Sequence, residues 1–175
     1  MNNIAEFKLD RQNYGLALVE EFMSTEIYDI IKNDREELAK WLPWAKDMQS
    51  IDDEAKFIRY AKEHNIFVLA ILNGAKPVGM IDLHNVDEVN HTAEIGYWLS
   101  SEYQGKGIMY NSVQSLVSYA FNFFDMEKLV IKAEVENEPS RHVAERAGFT
   151  FQKQKNHLRF MQNKRTANPS RSFCA

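Results

Sequence analysis

The stretch Tyr103-Gln104-Gly105-Lys106-Gly107-Ile108-Met109 constrains the fold more than any other part of this chain. Before it, Ala93-Glu94-Ile95-Gly96-Tyr97-Trp98-Leu99 alternates and reads as a strand. After it, apolar residues fall at 109, 113, 116, 117, 120 and 124, which is one face of a helix. Gly105 and Gly107 therefore lie in a tight strand-to-helix turn, where the missing Cβ lets the backbone bend and a ligand approach main-chain N–H groups. The first N–H groups of a helix are a ready anion site, and a pyrophosphate suits it. Lys106 adds a positive charge nearby. Two glycines between a strand and a helix are also an ordinary turn, and neither G-x-G-x-x-G nor G-x-x-x-x-G-K-S/T is present. The loop alone does not name a ligand.

The next segment narrows the reading. Leu129 to Val135 reads as a second strand, followed by Asn137-Glu138-Pro139-Ser140, a short helix with Val143, Ala144 and Ala147, and then Gly148-Phe149. Pro139 suits the first turn of that helix and Gly148 its C-terminal end. On these residues the chain resembles the GNAT family of acetyl-CoA-dependent N-acetyltransferases. The family loop Q/R-x-x-G-x-G/A is met by Gln104 and Gly107, with Met109 departing from it. The following N-x-x-S…G-F segment is met by Asn137, Ser140, Gly148 and Phe149. The resemblance runs over roughly residues 14–152 and is strongest to the branch that acetylates ribosomal-protein N-termini. That narrower likeness rests on Leu38-Ala39-Lys40-Trp41-Leu42-Pro43-Trp44 and on Glu94 to Leu99.

The resemblance implies that acetyl-CoA is the co-substrate. Its pyrophosphate would lie on the N–H groups of Gln104, Gly105, Lys106, Gly107, Ile108 and Met109, and its pantetheine arm along the main chain of Trp98 and Leu99. In the ribosomal branch the residue matching Ser140 is thought to protonate the departing thiolate, and the one matching Asn137 to bind the pantetheine. The alternative for Ser140 is that it caps its helix or merely sits in the first turn. Glu94 is the candidate base: it faces the side of its strand opposite Ile95, Tyr97 and Leu99, and a carboxylate beside a cleft can take a proton directly or through water. The alternative is a structural ion pair. Trp41 and Trp44, around Pro43, either wall the acceptor site or cover the core. The histidines show no metal-ligand spacing, so no metal is expected, and Ser140-Arg141-His142 is not a hydrolase triad.

Composition excludes several classes. With 45% hydrophobic and 12% aromatic residues the chain is globular rather than disordered. A net charge of -4 argues against a nucleic-acid partner. The longest apolar run, Ile66 to Leu72, is too short to span a bilayer, and Met1 to Asp10 lacks the apolar core of a signal peptide. A cytoplasmic protein is expected. The only thiol, Cys174, is near the end of the chain, so transfer is expected to be direct, without a covalent enzyme intermediate.

Taken in order, the pattern predicts an edge strand near Ile4 to Leu9, a strand over 14–19, a helix capped by Ser24 or Thr25, and helical turns from Arg35 to Trp41. A further helix follows, capped by Asp52 or Asp53, with Ala55, Phe57, Ile58 and Ala61 facing inward. Next come a hairpin of Ile66 to Leu72 and Val78 to His84 about Asn73-Gly74 and a turn over 87–91. This is an α+β, mixed α/β sandwich, a mostly antiparallel sheet flanked by helices. One acetyltransferase domain is expected over 1–161. Only one strand of the closing hairpin is evident, because 162–175 is polar enough to read as a disordered tail. Either the last strand is missing or a neighbouring chain covers the edge, and the latter predicts a homodimer meeting near 150–161. The expected reaction acetylates a primary amine, foremost a protein N-terminus such as that of a ribosomal protein. The alternatives are a polyamine, aminoglycoside or metabolite acceptor, or a non-catalytic acyl-CoA-binding protein.

Overall fold

The computed structural model describes residues 3–153 and 158–164. Eight strands form one sheet in the order β1-β2-β3-β4-β5-β6-β8-β7. They are β1 (Asn3–Leu9), β2 (Gln12–Leu18), β3 (Phe67–Asn73), β4 (Lys76–Asp87), β5 (Thr92–Leu99), β6 (Lys128–Ala133), β7 (Thr150–Lys153) and β8 (Leu158–Asn163). All neighbours are antiparallel except β5 and β6. The helices are α1 (Ser24–Asn33), α2 (Arg35–Leu38), α3 (Ile51–Glu63), α4 (Ile108–Phe123) and α5 (Glu138–Arg146).

Strand alternation divides the core in two. On one face Leu69, Ile71, Ile81, Leu83, Ile95, Leu129 and Ile131 pack against Val113, Leu116 and Val117 of α4 and Ala144 of α5. On the other, Val68, Ala70, Met80 and Trp98 meet Ile27 and Ile31 of α1 and Ile58 and Ala61 of α3. Residues two apart share a face, so each strand feeds both layers.

Several expectations are corrected at element ends. Ser24 lies inside α1, where its hydroxyl donates to the Glu21 carbonyl, and Met23 holds the cap position. The cap of α3 is Ser50: its Oγ accepts from the Asp53 N–H at 3.2 Å, while Asp53 Oδ2 accepts from the Gln49 N–H at 3.2 Å. Phe57 is exposed and Glu54 is buried in its stead, so the inner stripe of α3 is Glu54, Ala55, Ile58 and Ala61. At the end of α4, Phe124 sits edge-on to Phe67 with ring centroids 4.7 Å apart rather than inside the core.

The closing hairpin is complete. β8 inserts between β6 and β7, Phe160 is fully buried, and Gln162 is buried too. The strand therefore runs two residues into the segment expected as tail; its remainder from 165, with Cys174, lies outside the described residues. The premise of a missing strand falls with this. At this end of the sheet the edge is the four-residue β7, with β1 at the other end.

Candidate active site

The sheet opens at its one parallel pair. β5 and β6 share only three register pairs, Thr92 with Lys128, Ala93 with Leu129 and Glu94 with Val130. Beyond Glu94, β5 stays paired with β4 as far as Leu99 opposite Gly79, and β6 with β8 as far as Ala133 opposite Leu158. The two strands thus part while each keeps its outer neighbour, which leaves main-chain groups on their inner edges facing a gap. A cleft of about 830 Å³ passes through it. Its lining combines Leu38, Trp41 and Leu42 from one face with Tyr110, Ser140 and Arg146 from the other.

The loop after β5 reaches this cleft. Gly105 and Gly107 have φ of +73° and +79°, the left-handed region that side chains other than glycine enter at a cost. A Cβ on Gly105 would meet nothing within 4 Å, so the space before the loop is open. Gly107 begins the 16-residue α4 with no side-chain cap, leaving the first N–H groups of the helix for a ligand. Met109, the departure from the family loop, is buried in the α4-side core at the wall of the cleft. Gln104 braces the turn, its Nε2 donating to the Leu99 carbonyl at 3.0 Å. That carbonyl is therefore engaged. Lys106 lies over the Tyr103 ring at 5.3 Å and is absent from the lining.

Ser140 is not the cap of α5. Asn137 is, its side-chain oxygen accepting from the Ser140 N–H at 3.2 Å. The Ser140 hydroxyl instead meets the Tyr97 hydroxyl at 3.0 Å. Burial pushes the Tyr97 phenol up to about 12, against a smaller pull from Ser140. It stays protonated at any physiological pH, and a half-buried phenol needs such a partner.

On the opposite face of β5, Glu94 sits where the strands part. Burial pushes its carboxyl upward, but the ion pair with Lys132, the Asn85 hydrogen bond and His84 outweigh this and hold it below the ordinary range. Lys132 Nζ donates to Glu94 Oε1 at 2.6 Å, and His84 Nε2 lies 3.6 Å from Glu94 Oε2. The candidate base is thus a lowered, ion-paired carboxylate, poorly suited to take a proton from an ammonium. His84 Nδ1 lies 2.6 Å from Asp82 Oδ1; this hydrogen bond pushes the imidazole above its ordinary range while burial opposes it.

The cleft brings together Trp41, Glu94, Trp98, Leu99, Gln104, Gly105, Gly107, Ile108, Met109, Asn137 and Ser140 of the expected residues. Trp44 stands behind it, its ring 6.3 Å from that of Trp98. Tyr97, His84 and Lys132 were not foreseen. Alternation signalled Tyr97 as a buried side chain but not its hydroxyl partner. Lys132 reads as an ordinary strand lysine, and His84 emerges only as the cross-strand partner of Glu94. Among the described residues no group of three or more His, Cys, Asp or Glu is placed to hold a metal. No described helix is long and apolar enough to cross a membrane.

An opened parallel pair, an uncapped helix start behind a glycine turn, and a serine–tyrosine pair across the gap suit an acyl-CoA substrate. The match to known proteins agrees. The model of the acetyltransferase (GNAT) domain covers residues 19–150. YdaF of Bacillus subtilis strain 168, whose name proposes a ribosomal N-acetyltransferase, is 36% identical over 144 residues, 79% of this chain and 78% of its own. The ribosomal-protein-serine acetyltransferase of Escherichia coli K12 is 32% identical over 135 residues, 72% of this chain and 73% of its own. The solved microcin C7 self-immunity acetyltransferase MccE, in complex with acetyl-CoA and AMP, superposes with a TM-score of 0.80 at 25% identity, over 86% of this chain and 92% of that one. The chain belongs to the GNAT acetyltransferase family, and it is an acetyl-CoA-dependent N-acetyltransferase.

Proposed function

We propose that this enzyme acetylates the N-terminal amine of a protein, with a ribosomal protein as the acceptor, by direct attack of the amine on the thioester. One observation carries the reading: the cleft passes through the sheet, with the glycine loop at one mouth and Leu38, Trp41 and Leu42 at the other. Two substrates entering from opposite faces meet in the gap, and holding them there supplies much of the rate. The printed names of YdaF and of the E. coli relative support a ribosomal acceptor.

Within this reading acetyl-CoA supplies the activated acyl group. The Gly105–Gly107 turn and the first N–H groups of α4 hold its pyrophosphate. The Ser140 hydroxyl, aligned by Tyr97, gives a proton to the departing sulfur. Glu94 stays ionised and draws the ammonium of the acceptor toward the gap. Trp41 covers the acceptor's first residue. The enzyme works in the cytoplasm as a homodimer, for which the support is Phe151, half-exposed on the edge strand β7; light scattering showing a monomer would sink the dimer.

The deciding experiment is an acceptor screen by thiol release, with ribosomal-protein N-terminal peptides, polyamines and an aminoglycoside offered side by side. Peptide turnover is expected. Activity confined to a polyamine or an aminoglycoside would overturn the acceptor, and CoA binding without release for any amine would leave only a binding protein.

A further inference from the structure

We propose that His84, oriented by Asp82, is the catalytic base that takes the proton from the acceptor amine. The inference rests on the acetyl-transfer reading above and names the group that this reading lacks. Three observations carry it. The imidazole lies on the rim of the gap, among the residues that line the cleft and on the same face as Glu94 and Trp98. Its Nδ1 is held at 2.6 Å by Asp82 Oδ1, which fixes the ring and leaves Nε2 turned toward Glu94 Oε2 at 3.6 Å. That spacing is too long for a hydrogen bond, and Nε2 has no closer partner among the described residues. A histidine with one nitrogen anchored to a carboxylate and the other free is built to accept a proton.

The neighbouring strand makes room for this pair. Gly96 faces Asp82 across the β4–β5 register, and a Cβ there would come within 2.8 Å of Asp82 Oδ2 and 3.1 Å of His84 Cε1. The glycine is required by the pair itself, since its φ is not in the left-handed region. The charged groups facing the imidazole are Asp82 on β4, Glu94 on β5 and Lys132 on β6. Two carboxylates against one ammonium favour the imidazolium that proton transfer creates.

Glu94 does not compete for this role. Ordinary imidazole and carboxyl values differ by about two units, and here the two groups are pushed further apart. His84 therefore binds a proton more readily than Glu94. A protein α-amine titrates near 8, so an imidazole above its usual range is much the closer match.

The proton balance closes without another reactant. The ammonium N–H bond breaks and its proton goes to His84 Nε2, freeing the nitrogen lone pair. As the N–C bond forms and the C–S bond breaks, the nitrogen loses a second proton and the sulfur gains one from the Ser140 hydroxyl. The second nitrogen proton restores that hydroxyl through the gap, and His84 returns its proton to water. The net release is one proton per turnover.

The test uses the full chain, assayed on whichever amine the wild type acetylates. His84→Gln should lower kcat/KM at pH 6.5 by about 10²-fold or more, with CoA affinity by calorimetry unchanged. Asp82→Asn should move the rising limb of the pH profile to lower pH with a smaller loss, a shift that no general structural lesion produces. NMR titration of the His84 ring gives a readout independent of turnover: its pKa should lie above the ordinary value and fall in Asp82→Asn. Gly96→Ala should mimic the loss by displacing the pair. A His84→Gln enzyme within about threefold of wild type, an unmoved pH limb in Asp82→Asn, or an unshifted His84 titration would each overturn the proposal. A wrong acceptor class shows already in the wild type, whereas a wrong base shows only in the variants; a wild type that acetylates no amine overturns both.

Discussion

Glu54 offers a measurement that needs no substrate. It sits on the inner face of α3 with 1% of its surface exposed, and its Oε1 has no hydrogen-bond partner. Burial raises its carboxyl from 4.5 to about 7. A raised acid is favoured in its protonated form by the folded state. Its contribution is therefore fully present below the unfolded value and is lost as pH climbs through the folded one. The window is pH 4.5 to 7. At about 1.36 kcal/mol per unit, the total loss is about 3 kcal/mol, of which about 2.5 kcal/mol falls between pH 5 and pH 8. Glu54→Gln keeps the shape of the neutral acid and cannot ionise. At pH 8 it should be more stable than wild type, and at pH 5 most of that advantage should be gone. For a domain of this size each kcal/mol moves Tm by about 2–4 °C, so the gap between the two proteins should widen by about 5–10 °C over this range. Thermal melts of both proteins at the two pH values read it directly. A gap that stays constant with pH would show that Glu54 is solvated or paired in the folded protein, and the argument from burial would fail.

Other outcomes follow from the cleft. Gly107→Val places a β-branched side chain at φ +79°, which should cost about 1–2 kcal/mol of stability but raise the Kd for CoA by at least tenfold; calorimetry showing unchanged affinity would remove the loop from the site. Ser140→Ala should lower kcat by about 10²-fold, and Tyr97→Phe by less, with CoA binding intact in both. If Tyr97 acts through Ser140, the double variant should be no slower than Ser140→Ala alone; additive losses would give Tyr97 a separate role. Trp41→Ala should raise KM for a peptide acceptor by about tenfold with little change in CoA affinity, and Trp44→Ala, which lies off the cleft, should do less.

The elements were legible where one physical rule dominated. The alternation of Ala93 to Leu99 and the apolar stripe of α4 follow from period alone, and both stand as read apart from Phe124. Errors arose where two rules competed. Asp52 and Asp53 are good caps, but Ser50 precedes them and recruits Asp53 as its reciprocal partner. Glu54 broke the polarity rule on α3, because a carboxyl that can stay protonated is tolerated where a charged one is not. At the C-terminus composition misled. Gln162 looks like tail, yet a strand needs only its backbone pairing and one buried face, which Phe160 supplies.

The candidate site was legible in its glycine loop and much less so in the charged cluster on the other face, for a physical reason. The glycine loop is contiguous in the chain, so its glycines, helix start and spacing are written in seven consecutive letters. The charged cluster is assembled across three strands, Asp82 and His84 from β4, Glu94 from β5 and Lys132 from β6. Pairing His84 with Glu94 depends on the register of β4 and β5, and that register shifts between His84 and Asp87, where β4 carries an irregularity. A regular hairpin would have slipped the partnership and turned the histidine to the other layer. With the register in place, Lys132 can reach Glu94 only because β5 and β6 are still paired at Glu94 and Val130. The ion pair thus stands at the last point of contact before the strands part. The same opening sets Glu94 and His84 on one side of the gap and Ser140 and Tyr97 on the other. Under the proposed roles, proton removal and proton delivery lie on opposite faces of the sheet, each beside the substrate that enters from that face.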